Sequence, residues 1–147
     1  MSKKANIIRK MEPSEIDAVL NIWLEAAMQA HSFVDREFWE SNIDIMREKY
    51  IPNSDTYVYI ENYVIKGFFS LCDTTLAAIF VAPAFQSQRI GRQLIKKAKS
   101  LRDNLNLTVY KENTRSIDFY LKSGFSIIGE RPDKHTGHTE LLMKFCS

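Results

Sequence analysis

Asn113-Thr114-Arg115-Ser116-Ile117-Asp118-Phe119-Tyr120-Leu121-Lys122-Ser123-Gly124-Phe125 is the stretch whose reading decides the fold. Just before it, Leu105, Leu107 and Val109 alternate with Asn106, Thr108 and Tyr110, the period of a strand with one buried face. Asn113 can cap a helix, because its side-chain oxygen accepts from an amide of the first turn. Gly124 can take the left-handed conformation that stops one. Ile117 and Leu121 can pack inward. The spacing predicts a strand, a helix and a second strand opening with Phe125-Ser126-Ile127-Ile128. Tyr120 sits within that helix. It is either a half-buried aromatic with its hydroxyl in a hydrogen bond or a phenol placed to give up a proton.

Upstream, Leu76-Ala77-Ala78-Ile79-Phe80-Val81 is a continuous apolar run and predicts a strand buried on both faces. A turn, Gln86-Ser87-Gln88-Arg89-Ile90-Gly91, leads from it into a helix. There Ile90, Leu94, Ala98 and Leu101 form an apolar stripe, and Arg89, Arg92, Lys96 and Lys99 a basic one. A helix start leaves backbone amides unpaired and carries partial positive charge, so strand, turn and helix can hold an anion. The competing reading is an amphipathic helix with a solvated charged face, and the pattern alone leaves both open.

The remaining elements follow by period. Residues 5–10 predict a first strand. Pro13 opens a helix with Ile16, Val19, Leu20, Trp23, Leu24 and Ala27 on one face; Pro suits its first turn, or Ser14 and Asp17 form a capping box. Gln29 to Val34 breaks the pattern. A second helix is expected from Asp35 to Tyr50, with Phe38, Ile45, Met46 and Tyr50 among its apolar positions. The turn cluster Pro52-Asn53-Ser54-Asp55 follows. Tyr57–Ile60 and Val64–Cys72 predict strands joined by a hairpin at Glu61-Asn62-Tyr63, with a bulge at Gly67. Thr139–Phe145 predicts the last strand. Strands and helices are mixed, so the fold class is α/β or α+β with a mixed sheet.

Bulk composition narrows the class. The chain has 147 residues, enough for one domain spanning 1–147 with its own core. With 45% hydrophobic residues it reads as a packed globule. A net charge of +2 does not point to nucleic acid. Cys72 and Cys146 have no metal-ligand spacing and read as reduced thiols of a cytoplasmic protein. The start, Met1-Ser2-Lys3-Lys4-Ala5-Asn6, is basic but lacks a signal peptide's apolar stretch. No apolar run approaches the roughly 20 residues of a membrane span.

Together the two segments resemble the GNAT superfamily of acetyl-CoA-dependent N-acetyltransferases. The turn Gln86-Ser87-Gln88-Arg89-Ile90-Gly91 is similar to the family's Gln/Arg-x-x-Gly-x-Gly/Ala loop. Asn113, Phe119, Tyr120, Gly124 and Phe125 match its Asn-x-x-Ala-x-x-Phe-Tyr-x-x-x-Gly-Phe signature, with Ser116 at the Ala position. His31-Ser32-Phe33 is similar to a segment of some small bacterial, single-domain members.

The resemblance implies a mostly antiparallel sheet of six to seven strands flanked by about four helices and splayed at a cofactor cleft. It implies acetyl-CoA as cosubstrate and no metal. Backbone at Ile79, Phe80 and Val81 would hold the pantetheine arm, with a strand amide near Val81 as oxyanion donor. The amides around Gln86, Ser87, Gln88, Arg89, Ile90, Gly91 and Arg92 would hold the pyrophosphate. Asn113 and Ser116 would touch the cofactor arm, and Tyr120 would protonate the departing thiolate. Arg89 stands where the family has Gly; the expectation is an Arg89 of ordinary helical φ leaning over a phosphate.

The amine must lose a proton before it can attack. Thr75 and Thr108 occupy the positions where the family often has a carboxylate base. That leaves His31, Glu61 and Glu112, with His31 ranked first. His135 and His138 lie in a polar loop that borders the acceptor cleft in the family. His31, Phe33 and Trp39 are the expected acceptor contacts, with Phe38, Asp35 and Glu37 nearby, a composition suited to a cationic amine on a peptide, protein or small molecule. The expected assembly is a monomer or homodimer. Two rival readings are a non-catalytic acyl-CoA-binding module and a nucleic-acid binder using the Arg89–Lys99 stripe.

Overall fold

Seven strands form a single sheet in the order β1-β2-β3-β4-β5-β7-β6. The structure is a computed structural model and describes residues 6–147. The basic segment 1–5, including Ala5 of the expected first strand, lies outside the described residues. The strands are β1 Asn6–Lys10, β2 Asp55–Glu61, β3 Val64–Cys72, β4 Thr75–Val81, β5 Asn104–Tyr110, β6 Ser126–Pro132 and β7 Thr139–Cys146. All pairings are antiparallel except β4 with β5. Among the described residues no helix is long and apolar enough to cross a membrane.

Helices cover both faces. On one side α1, Ile16–Ala30, buries Val19, Leu20, Ile22, Trp23, Ala26 and Ala27, and packs with Val34, Trp39 and Ile51 on Val58 and Phe68 of the sheet. On the other side α4, Ile90–Leu101, buries Ile90, Leu94, Ile95 and Ala98 against Phe69, Leu71, Leu105 and Leu107. The apolar stripe of α4 thus faces the core, as its spacing predicts. The helix α5, Thr114–Lys122, lies on this same core, where Tyr120 packs.

Several local expectations are corrected. The capping box before α1 is Glu12 with Glu15, with Pro13 between them, and not Ser14 with Asp17. Arg9 grips the Glu15 carboxylate at 2.8 Å, which fixes that choice. The helix expected over 35–50 is broken. It comprises α2, Arg36–Ser41, a short α3, Ile43–Ile45, and a π-helical turn, Met46–Tyr50. Asn42 interrupts it by donating its side-chain amide to the Phe38 carbonyl at 2.6 Å. Ile45 and Tyr50 are consequently exposed.

The β3 bulge falls beside Gly67: Tyr59 pairs with Gly67 and Ile60 with Ile65, leaving Lys66 as the extra residue. Gly67 serves close packing instead, since a Cβ there would meet the Phe80 carbonyl oxygen at 3.0 Å and Leu94 Cδ1 at 3.1 Å. Strand β4 is not buried on both faces. Only Leu76 is buried, and the strand from Ala78 to Val81 is half-buried because it lines a cleft. Both cysteines are free thiols on the surface.

Candidate active site

The cleft arises where the sheet comes apart. Strands β4 and β5 pair only at Thr75 and Asn106, where the Asn106 amide donates to the Thr74 carbonyl at 2.8 Å. Beyond that point the strands diverge around a cleft of about 870 Å³. Ile79, Phe80 and Val81 form one wall, the turn into α4 closes one end, and Asn113, Ser116 and Tyr120 face across from α5. Of the expected cofactor contacts, only Gln88 lies outside the lining. Of the expected acceptor contacts, His31 and Trp39 line the cleft, while Phe33 lines an adjacent groove.

The turn into α4 has the geometry of an anion nest. Ser87 and Arg89 both have positive φ, 66° and 67°. Left-handed residues in such a turn rotate successive amides toward one concavity. The amides from Ser87 to Arg92 donate to no backbone carbonyl among the described residues; the first that does is Gln93, to Arg89 at 3.2 Å. Gln86 folds back and donates its side-chain amide to the Val81 carbonyl at 3.0 Å, tying the turn to the end of β4. A row of free amides at a helix start suits a pyrophosphate.

Arg89 therefore does not keep a helical φ. It caps α4 in the left-handed region, at φ 67° and ψ 13°, where the family's Gly would sit without strain. The basic stripe also divides. Arg89 and Arg92 line the cleft, whereas Lys99 donates to the Ser123 carbonyl at 2.8 Å and lies over the Phe145 ring.

At the start of α5 the expected cap is present. Asn113 Oδ1 accepts from the Ser116 amide at 3.2 Å, and its Nδ2 lies 3.1 Å from His31 Nε2. An amide NH₂ only donates, so Nε2 accepts and the His31 proton sits on Nδ1. His31 is buried against Trp39, Phe33 and Tyr110, and burial drives its pKa down to about 4 against a weaker opposing pull from the Ala27 carbonyl. A ring that is neutral throughout the physiological range, with its lone pair already engaged, is a poor proton acceptor. That argues against His31 as the base.

Tyr120 lines the same cleft and packs on Phe119 and Phe125, with ring centroids 5.5 and 5.7 Å away. Burial raises its pKa, so the phenol keeps its proton. Its hydroxyl has no hydrogen-bond partner among the described residues, while its ring packs on the core.

The other base candidates sort by position. Glu61 pairs with Lys66 at 2.8 Å and does not line the cleft. Thr75 sits at the closed end of the splay, outside the lining, while Thr108 faces the cleft. Glu112 lines the cleft and lies 2.9 Å from His138 Nδ1.

Sequence reasoning missed Tyr110, Arg115 and Glu140, which also line the cleft. The alternation of β5 carried a signal for Tyr110, since it shares the face of Thr108. The Tyr110 hydroxyl donates to Asp133 at 2.5 Å. Burial first, then this bond, pushes the phenol up to about 12. At Asp133 burial opposes ionisation, but bonds from Tyr110, the His135 amide and Thr136 outweigh it and hold the carboxyl below its ordinary value.

A splayed mixed sheet, an amide nest at the cleft's end and a protonated phenol opposite fit the class of acyl-CoA-dependent transferases. Comparison with known proteins makes the class specific. Residues 52–127 match the family model described as acetyltransferase (GNAT) domain. The peptidyl-lysine N-acetyltransferase YiaC of Escherichia coli strain K12 is 34% identical over 123 residues, covering 83% of this chain and 84% of that relative. The solution structure of apo-form YjaB from Escherichia coli superposes with a TM-score of 0.84 at 24% identity, covering 96% of this chain and 97% of that one. The crystal structure of PaiA N-acetyltransferase from Thermoplasma acidophilum in complex with coenzyme A has a TM-score of 0.79 at 16% identity, covering 97% and 99%. The chain belongs to the GNAT acetyltransferase family, and it is an acetyl-CoA-dependent N-acetyltransferase.

Proposed function

We propose that this protein, acting as one domain, transfers the acetyl group of acetyl-CoA to the ε-amine of a lysine in a peptide or protein, by direct attack in a ternary complex. The observation that carries the mechanism is Tyr120: a cleft-lining phenol, kept protonated by burial, whose hydroxyl has no other partner among the described residues. The acceptor rests on the YiaC likeness and on the Asp35 and Glu37 carboxylates beside the cleft, which suit an incoming ammonium.

The amides from Ser87 to Arg92 bind the pyrophosphate, helped by the Arg89 and Arg92 guanidinium groups. Backbone at Ile79, Phe80 and Val81 receives the pantetheine arm, and an amide near Val81 steadies the oxyanion. The second Nδ2 proton of Asn113 remains available to the arm, beside Ser116. His31 acts as a positioning residue: it fixes the Asn113 amide that caps α5 and thereby sets Tyr120. The amine attacks the thioester carbonyl, and Tyr120 protonates the departing thiolate.

The test is coenzyme A release with a lysine peptide whose N-terminus is blocked. Tyr120→Phe should lower kcat by about 100-fold or more while changing acetyl-CoA affinity less than about twofold. Equal turnover refutes the role of Tyr120. Turnover of polyamines with none on lysine peptides refutes the acceptor.

A further inference from the structure

We propose that His138, oriented by Glu112, is the group that takes the proton from the incoming ammonium. This rests on the acetyl-transfer reading above and supplies the base that reading lacks. His138 Nδ1 lies 2.9 Å from Glu112 Oε1. A carboxylate only accepts, so the Nδ1 proton points at Glu112 and the Nε2 lone pair is left free. No hydrogen bond reaches Nε2 among the described residues.

The bonded pair links the linings of two cavities. Glu112 lines the cleft that holds Tyr120. His138 lines the adjacent groove, of about 470 Å³, with Phe33, Asp35, Glu37 and Phe38 from the other side of the sheet opening. Phe33 touches both histidines, with ring centroids 5.8 Å from His31 and 4.9 Å from His138. On this proposal the acceptor lysine enters along the groove past His138 and reaches the cleft beside Glu112.

The loop carrying His138 is held in place. Asp133 accepts from Tyr110, Thr136 and the His135 amide, and the Asp133 amide donates to the His138 carbonyl at 2.8 Å. The charged and titratable groups around His138 are Tyr110, Lys111 and Glu112 at the end of β5, Asp133, Lys134 and His135 in its own loop, Glu140 on β7, and Asp35 and Glu37 across the groove. Five carboxylates against two lysines leave an imidazolium formed here facing an excess of negative charge.

The proton count closes. An N–H bond of the ammonium breaks, and that proton goes to His138 Nε2. The freed lone pair forms the C–N bond, and the C–S bond breaks. The thiolate takes the Tyr120 proton, and the second amine proton restores the phenol. His138, whose side chain is 31% exposed, returns its proton to water.

The test measures kcat/KM against pH for the blocked lysine peptide in wild type, His138→Asn and Glu112→Gln. The Asn side chain can still donate to Glu112 but has no basic nitrogen, so a merely structural role survives in it. With thermal midpoint and acetyl-CoA affinity unchanged, His138→Asn is expected to lose about 100-fold near neutral pH. The deficit should shrink as pH approaches the lysine's own value of about 10.4, where water supplies the free amine. Glu112→Gln should show a smaller loss of the same shape. No loss, or a loss independent of pH, overturns the proposal. If wild type acetylates only polyamines, the lysine reading has failed, and the same variants measured on spermidine decide the base by the same criterion.

Discussion

The His31 ring ties stability to pH in a way that can be measured. Its pKa lies at about 4 when folded and 6.5 ordinarily. At about 1.4 kcal/mol per tenfold, keeping this ring neutral and buried contributes about 3 kcal/mol. The unfolded chain takes up the proton first. The contribution is therefore complete above pH 6.5 and is lost as pH falls from 6.5 to about 4, below which both states are protonated. His31→Gln is the matched perturbation, because its side-chain oxygen can still accept from Asn113 and does not titrate. Urea unfolding followed by the fluorescence of Trp23 and Trp39, both buried beside this site, gives stability at each pH. Wild type should lose about 3 kcal/mol more than the variant across the interval, a further drop in Tm of roughly 6–12 °C. Parallel losses in the two proteins would refute the assignment of a neutral, buried His31.

Two other substitutions separate stability from binding. Arg89→Gly removes a left-handed non-glycine residue costing about 1–2 kcal/mol, against about 0.4–1 kcal/mol of added unfolded-state freedom. The Tm measured by calorimetry should rise by a few degrees while acetyl-CoA affinity falls roughly fivefold with the lost guanidinium; a lower Tm or tighter binding contradicts the assigned geometry. Gly67→Ala pushes a methyl against the Phe80 carbonyl and Leu94 and should cost about 1–3 kcal/mol in urea unfolding, an expectation that an unchanged midpoint defeats.

What was legible in the sequence was local. The cap at Asn113, the stop at Gly124 and the stripe of α4 each depend on residues within one or two turns, and the structure has all three. What was not legible depended on distant chain. Ser87 and Arg89 carry no glycine to announce their positive φ, so the nest was visible only as an anion-friendly turn. The run from Leu76 to Val81 looks like core because an apolar strand beside a cleft and one inside a core have the same composition. Lys99 belongs to the α4 basic stripe by periodicity, but Ser123, at the far end of α5, takes it away from the cleft. Glu112 and His138 stand on different strand ends, and only the β5–β7 pairing brings them together.

The same distant contacts explain how a mobile-looking aromatic becomes a placed one. Tyr120 lies near the end of a nine-residue helix, too short to be stable by its own propensity. Its orientation must come from the two ends. At the start, Asn113 is held by the Ser116 amide and by His31, which belongs to the end of α1 across the cleft. At the finish, Lys99 of α4 grips the Ser123 carbonyl, Gly124 turns at φ 96°, and Phe125 is buried. Protonating His31 would set two donors against each other at the first of these anchors. The loss of folding stability and the loss of Tyr120 placement then follow from one event, the proton reaching Nε2. A hydrophobic pocket around His31 thus bears on the phenol of a helix it does not belong to, because burial lowers the pH at which that event occurs.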